Sequence, residues 1–500
     1  MFKRIIINAL SRKSTTELID NAKKGSLKKT LSAFDLFIIG IGAVVGTGIL
    51  TIVGTAIQGG PESLGAGPAI IISMVLAAIA CVFSALCYSE VASIIPVSGS
   101  VYTYAYATLG EFAAWIVGWV LMLNYVIGNI TVASSWCGYL TQLLKGFSQY
   151  LPQFVINFPI WLRSDVRSII HMCDKYGLDY HDKMPYLFNH IPFAVNVPVV
   201  LLTLVSTLIL IKGIRESTRF ATIMVCLNIL TIVSFIVVGA FYVKPQNWIP
   251  FAPNGIEGIL MGAFIIFFAY IGFDAVSTAA EETKNPQRDL PIAILGTLIF
   301  CTVLYILVAL VLTGVCPLGH INTQAPIAAA LSVINKDFLA GFISVAAVCA
   351  LASVFLICQL ASTRILYAMS RDKFLPRVLR AIHKKYRTPH MLTWIVGLVI
   401  IVCSLFMDLN ISAQLCNYGT FTAFIAICVA VIILRKTEPK LKRPFRVTLV
   451  PLFPILGIIS SLGLVIFSFK KLSSSVTMFI VWIIIGVTIY SIFSYKNLRK

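Results

Sequence analysis

Apolar runs of roughly 20 residues recur along this chain, and a helix needs a run of about that length to cross a bilayer. About twelve can be drawn: 34–58, 68–94, 111–143, 194–212, 219–243, 256–281, 290–314, 338–369, 391–408, 413–435, 449–469 and 474–494. Inside lipid, only helices and closed barrels satisfy every backbone polar group. The sequence therefore predicts an all-α polytopic membrane protein. Composition agrees, with 58% hydrophobic and 12% charged residues, where a soluble chain carries about 25% charged.

Two of the runs are interrupted at mid-depth. The first contains Gly40-Ile41-Gly42-Ala43-Val44-Val45-Gly46-Thr47-Gly48-Ile49, in which four of ten residues are glycine. Glycine weakens a helix by about 1 kcal/mol relative to alanine. A break here bares backbone N–H and C=O groups, tolerated at this depth only where they are buried in protein or line a polar cavity. Taken alone, the stretch also reads as a close-packing face between helices. The second interruption is Phe267-Phe268-Ala269-Tyr270-Ile271-Gly272-Phe273-Asp274. Two interrupted spans, each opening a block of about five, are the pattern of an inverted-repeat transporter.

That pattern divides the chain. Residues 1–30 form a basic arm, 31–245 a first repeat of spans 1–5, and 246–436 a second of spans 6–10. Residues 437–500 hold spans 11 and 12 and a tail. Five is odd, so the second repeat enters the membrane from the opposite side.

The net charge of +19 does not point to nucleic acid. Of the 39 Lys and Arg, 30 fall on one side once the spans alternate: the N-terminal arm, Lys212 to Arg219, Lys284 to Arg288, Arg364, Arg371 to Arg387, Arg435 to Arg446, and Lys496 to Lys500. The positive-inside rule makes that side, and both termini, cytoplasmic in the plasma or inner membrane. The partners implied are the lipid bilayer, including its anionic headgroups, and a small solute. Ile5-Ile6-Ile7 is too short for a cleavable signal peptide.

The large loop Lys145–Ile191 holds His171, Cys173, His181 and His190 at wider spacings than zinc sites use. It is expected to be solvated, with short surface helices. The cysteines show no CxxC, and no metal or cofactor is implied. Tyr102, Tyr104 and Tyr106 fit an interfacial aromatic belt. Glu90 and Glu111 read as solvated helix ends.

A broken first span would offer two half-helix ends. Near Gly46, Thr47 and Gly48, free N–H groups and partial positive charge suit a carboxylate. Near Val44, free carbonyls suit an ammonium. Such a site fits an α-amino acid headgroup without any charged side chain.

The two interruptions, with Glu281-Glu282-Thr283-Lys284-Asn285-Pro286-Gln287-Arg288, Ser362-Thr363-Arg364-Ile365-Leu366-Tyr367-Ala368-Met369-Ser370-Arg371-Asp372 and Thr437-Glu438-Pro439-Lys440-Leu441-Lys442-Arg443-Pro444-Phe445-Arg446, closely resemble the amino acid–polyamine–organocation superfamily. The nearest branch is similar to the cationic amino acid transporters and their bacterial relatives. The resemblance runs from about Leu31 to Arg446. It implies a LeuT-type 5+5 fold with broken helices 1 and 6, and alternating access. It also implies a substrate site of Val44, Val45, Gly46, Thr47, Gly48, Phe268, Ala269 and Ile271, with Asn124 nearby and Phe268 as an aromatic gate. Without it, Phe268 reads as packing.

Two positions depart from bacterial relatives. Asn228 stands where they often carry a lysine tied to proton coupling, and asparagine cannot carry that charge. Asn124 stands where they can carry a glutamate, which removes a partner for a cationic side chain. Asp274 is an intramembrane acid, with a transport role or a helix-capping role open to it. The chain is expected to be an amino acid facilitator or exchanger. A proton-coupled symporter and a non-transporting amino acid sensor are the alternatives. An enzyme is disfavoured, because none of the six histidines lies inside a well-defined span.

Overall fold

A computed structural model describes residues 11, 12, 14, 29–60, 63–97, 100–147, 152, 159–179, 183–187, 191–212, 218–371, 374–386 and 388–498. Most of the expected basic arm, His181 and His190, and the side chain of Glu281 lie outside the described residues.

The described residues form helices at all twelve expected positions. Span 1 is Ala33–Val44 and Gly48–Gln58, bent by 40° at a short break. Spans 2 to 5 are Ile70–Ile94, Glu111–Gly146, Val197–Lys212 and Thr218–Ala240. Span 6 comprises Gly255–Ile266, a tight turn Phe267–Tyr270, and Phe273–Glu282. Spans 7 to 12 are Pro286–Val315, Asp337–Arg371, His390–Cys403, Leu409–Thr437, Leu452–Phe469 and Ser473–Leu498. Counting the bent pair as one, ten are long and apolar enough to cross a membrane. Spans 4 and 9 are shorter, at 16 and 14 residues, and pack against each other.

Local chemistry sets the helix ends. Ser32 and Asp35 start span 1 with a reciprocal capping box, in which the Ser32 N–H donates to Asp35 at 2.9 Å and the Asp35 N–H to Ser32 at 3.3 Å. Apolar stripes at helical spacing, such as Ile292, Ile299 and Val303 of span 7, stay exposed on the outside of the bundle. That is the pattern of helices facing lipid tails.

Spans 1 and 6 run antiparallel, side by side. At the face where span 1 begins, the Thr30 and Leu31 N–H groups donate to the Glu282 carbonyl at 2.9 and 3.0 Å, and the Lys284 N–H donates to Leu31 at 2.9 Å. At the opposite face, the Asn254 amide donates to the Gly65 carbonyl at 2.8 Å. The first is called the basic face below, and the second the far face. This pinning at both ends brings the two breaks to the same depth.

Three expectations need correction. Glu90 is not a solvated end: it is 1% exposed and accepts two hydrogen bonds from Arg435 of span 10, at 2.9 and 2.6 Å. The Val447 N–H adds a third at 2.7 Å, and Arg443 stands 3.5 Å away. A buried carboxylate requires such partners. Glu111 is likewise half-buried, with Ser11 and Tyr490 hydroxyls donating to it. Tyr102 and Tyr104 form no surface belt: both are buried, on a short helix Ser100–Thr108 that packs against span 3. Tyr104 meets Tyr88 edge-on. The large loop does carry a surface helix, Val166–Tyr176, over a small core of Ile169, Cys173, Met184 and Ala194.

Candidate functional site

Three residues, Val45, Gly46 and Thr47, separate the halves of span 1. Helix Ala33–Val44 ends where Val45 turns extended, and a loosened π-turn, Gly48–Ile52, begins the second half. The last carbonyls of a helix have no intrahelical donor, so Val44 and Val45 must find theirs elsewhere. Asn228 of span 5 donates its amide N–H to the Val45 carbonyl at 2.7 Å. Tyr305 of span 7 places its hydroxyl 2.9 Å from the Val44 carbonyl. In the π-turn, the Leu50 carbonyl accepts from Tyr139 at 2.6 Å.

The second break forms around Gly272, whose φ of +123° is strained for any residue with a side chain. A Cβ there would also stand 2.5 Å from the Ala43 carbonyl oxygen. The two breaks therefore rest on each other. The Tyr305 hydroxyl also lies 3.0 Å from the Ala269 carbonyl. One hydroxyl proton is thus shared between a loose carbonyl of each broken span. Neither Tyr305 nor the donor role of Asn228 was legible beforehand.

The remaining expected residues divide. Thr47 is buried, and its hydroxyl has no hydrogen-bond partner. Gly48 sits against the Ala269 backbone, while Gly46 faces Val354 with room for a Cβ, at 3.6 Å. Ala269 is buried, and Phe268 and Ile271 are half-buried. The neighbouring Phe267, not Phe268, goes into the core, stacked on Phe421 at 3.9 Å. Asn124 is tied to span 10 rather than to either break: its amide donates to Thr420 at 2.9 Å, and its backbone carbonyl accepts from the Cys416 thiol at 3.4 Å. Asp274 is buried against the backbone N–H groups of Gly272, Asp274 and Ala275, with Tyr125 and Cys358 as its electrostatic neighbours. Asp274 lies in the first turn after the N-cap Gly272, where the helix dipole favours an acid.

The arrangement offers loose N–H groups at Gly46 to Gly48 and, a few residues before them, carbonyls held by neutral donors. Residues 31–489 match the family model described as amino acid permease. The chain belongs to the amino acid permease family. The permease is an integral membrane protein and an amino acid transporter rather than an enzyme. Along 98% of its length it is 41% identical to a methylthioribose transporter of Bacillus subtilis, covering 99% of that protein. It is 40% identical to the branched-chain amino acid permease BcaP of the same organism, with 97% of each chain covered. It is 34% identical to the vacuolar cationic amino acid transporter 4 of Arabidopsis thaliana, over 87% of the permease and 68% of that protein.

Proposed function

We propose that the two facing breaks bind the headgroup of an α-amino acid with an uncharged, apolar side chain. The observation that carries this is the meeting of the breaks, with Tyr305 shared between the Val44 and Ala269 carbonyls. The substrate carboxylate takes the N–H groups at Gly46, Thr47 and Gly48, and the ammonium takes carbonyls at the break. Phe268 and Ile271 border the site, with Phe268 closing over the substrate. A neutral side chain fits better than a cationic one, because Asp274 is already engaged by backbone N–H groups and Asn124 by Thr420. A 40% identical relative named for branched-chain amino acids supports the same choice.

The basic face is cytoplasmic, as are both termini, in the plasma or inner membrane. Residues 31–245 and 246–436 act as inverted repeats of a LeuT-type fold that alternates access to the site. Transport is facilitated or exchanging. Asn228 donates to Val45 as a neutral amide at all working pH values, so it cannot bind and release a proton there.

The test uses purified protein in proteoliposomes with labelled L-leucine outside. Internal leucine should accelerate uptake, and a pH step with the inside alkaline should not drive accumulation. Accumulation that collapses on adding a protonophore would make it a proton symporter. Binding without flux would make it a sensor. Uptake of methylthioribose in place of every amino acid would replace the substrate class.

A further inference from the structure

The last carbonyls of span 10 have no donor within the helix, and the chain supplies one from beyond it. Arg443 folds back over the helix end. It donates to the carbonyls of Pro439 and Leu441 at 3.2 and 2.8 Å, and to those of Leu434 and Glu438 at 3.2 and 2.8 Å. Arg435, besides its bonds to Glu90, donates to the Val447 carbonyl at 2.8 Å. The Phe445 N–H donates to the Ser93 hydroxyl of span 2 at 3.4 Å. The connection between spans 10 and 11 is therefore clasped from within, its two inner arginines engaged by Glu90 and by backbone carbonyls. A segment fixed in this way loses little conformational entropy when it binds something.

The other cations of the connection face outward. Lys436, Lys440, Lys442 and Arg446 are all exposed, and Glu438 is the one acid among residues 435–446. Span 11 starts at Leu452, six residues after Arg446. Its residues Leu452, Ile455, Ile459, Leu462 and Ile466 are 40% to 59% exposed. Their spacing of three or four places them in one stripe along the helix. Gly457, Ser461 and Ser468 are buried on the side that packs against spans 2, 6 and 10. Leu449, in the turn between the cations and the stripe, is 64% exposed. A rigid basic platform thus leads directly into an apolar track that runs the length of a span.

We propose that this platform and track bind an anionic phospholipid, with its phosphate among Lys436, Lys440, Lys442 and Arg446 and its acyl chains along the stripe of span 11. A connection between two spans lies at headgroup depth, where cations attract anionic lipid. A soluble anion would use the cations alone, whereas a lipid uses both features. Glu90 ties the platform to span 2, so the lipid holds spans 2, 10 and 11 together and its binding stabilises the fold.

The experiment follows thermal unfolding of the purified full-length protein in nonionic detergent. Dioleoylphosphatidylglycerol is titrated in and compared with dioleoylphosphatidylcholine and with the soluble headgroup glycerol 3-phosphate. Phosphatidylglycerol should raise Tm to a plateau, and the other two should not. The variant Lys440→Gln/Lys442→Gln/Arg446→Gln should need about tenfold more phosphatidylglycerol for half of that rise. Lys384→Gln/Lys385→Gln, which alters exposed cations on the connection between spans 8 and 9, should need less than about twofold more. No rise in the parent, or a parental response in the triple variant, would overturn the proposal. An equal loss in the comparison variant would also overturn it, by showing only the general charge of the basic face. A rise with glycerol 3-phosphate as large as with the lipid would overturn the assignment to a lipid. If the triple variant does not fold, Arg446→Gln alone should need about threefold more lipid, and an unchanged requirement would overturn the proposal. The readout needs no transport, so it judges the lipid site whether or not leucine is moved.

Discussion

Gly48 of span 1 lies directly against Ala269 of span 6: a Cβ on Gly48 would stand 2.2 Å from the Ala269 Cα. Real Cβ atoms do not approach a backbone that closely, so one methyl must push the two breaks apart. Gly46 is different, with its nearest neighbour, Val354, at 3.6 Å. Gly48→Ala should lower thermal stability by about 1–3 kcal/mol, as overpacking does. Gly46→Ala should keep the stability of the parent and weaken leucine binding, because its methyl group enters the headgroup cradle. Thermal unfolding and equilibrium binding, measured on both variants, check the contrast. Gly48→Ala with parental stability would remove the contact from the account.

Tyr305 holds two loose carbonyls with one proton. Tyr305→Phe keeps the ring and deletes the hydroxyl, leaving Val44 and Ala269 without that donor. Unpaired buried acceptors cost about 1–3 kcal/mol. Stability should fall in that range, and leucine affinity should fall about tenfold. Unchanged affinity in a folded variant would make Tyr305 a packing residue only.

The broken spans were legible because four glycines in ten residues weaken a helix at mid-depth, and a second interruption at Gly272, far along the chain, repeated the signal. What the breaks rest on was not legible. Tyr305 sits in an unremarkable apolar span, and only the packing of span 7 on spans 1 and 6 brings its hydroxyl to their carbonyls. Asn228 stood out for the lysine it lacks, not for the carbonyl it holds. Glu90 closes an apolar run, where an acid reads as solvated, and its partner Arg435 is 345 residues away in sequence. The polar start of span 10 looked like loop because hydropathy cannot see an Asp408 cap.

The Glu90 cluster ties span 2 to span 10 and to the segment before span 11. Removing one member of a buried ion pair leaves the other uncompensated, at a cost of about 3–5 kcal/mol. Glu90→Gln should therefore destabilise strongly, with Arg435 and Arg443 left facing a neutral amide. Thermal unfolding in detergent measures it, and a loss below about 1 kcal/mol would reduce the cluster to an exposed-type pair.

Asp165, in the large loop, gives a pH signature. Burial lifts its carboxyl to about 6, with the nearby Asp408 adding to the shift while the Ser168 N–H and hydroxyl oppose it. A raised folded-state value means stability present in full below the unfolded carboxylate value, near ~4, and lost as pH rises through about 6. The protein should be more stable at pH 5 than at pH 7 by a margin that Asp165→Asn abolishes, since asparagine caps the loop helix equally well. Identical pH profiles for parent and variant would remove the effect.

The central claim is that paired backbone breaks recognise both charges of an amino acid headgroup. Competition against labelled L-leucine on the purified protein tests it most directly, using L-leucine, leucine methyl ester and N-acetyl-leucine. The ester keeps the ammonium and loses the carboxylate, and the acetyl compound does the reverse. Unlabelled leucine should displace the label, while each modified compound should need about a hundredfold more. Displacement by the ester or the acetyl compound at the same concentration as leucine would contradict the claim.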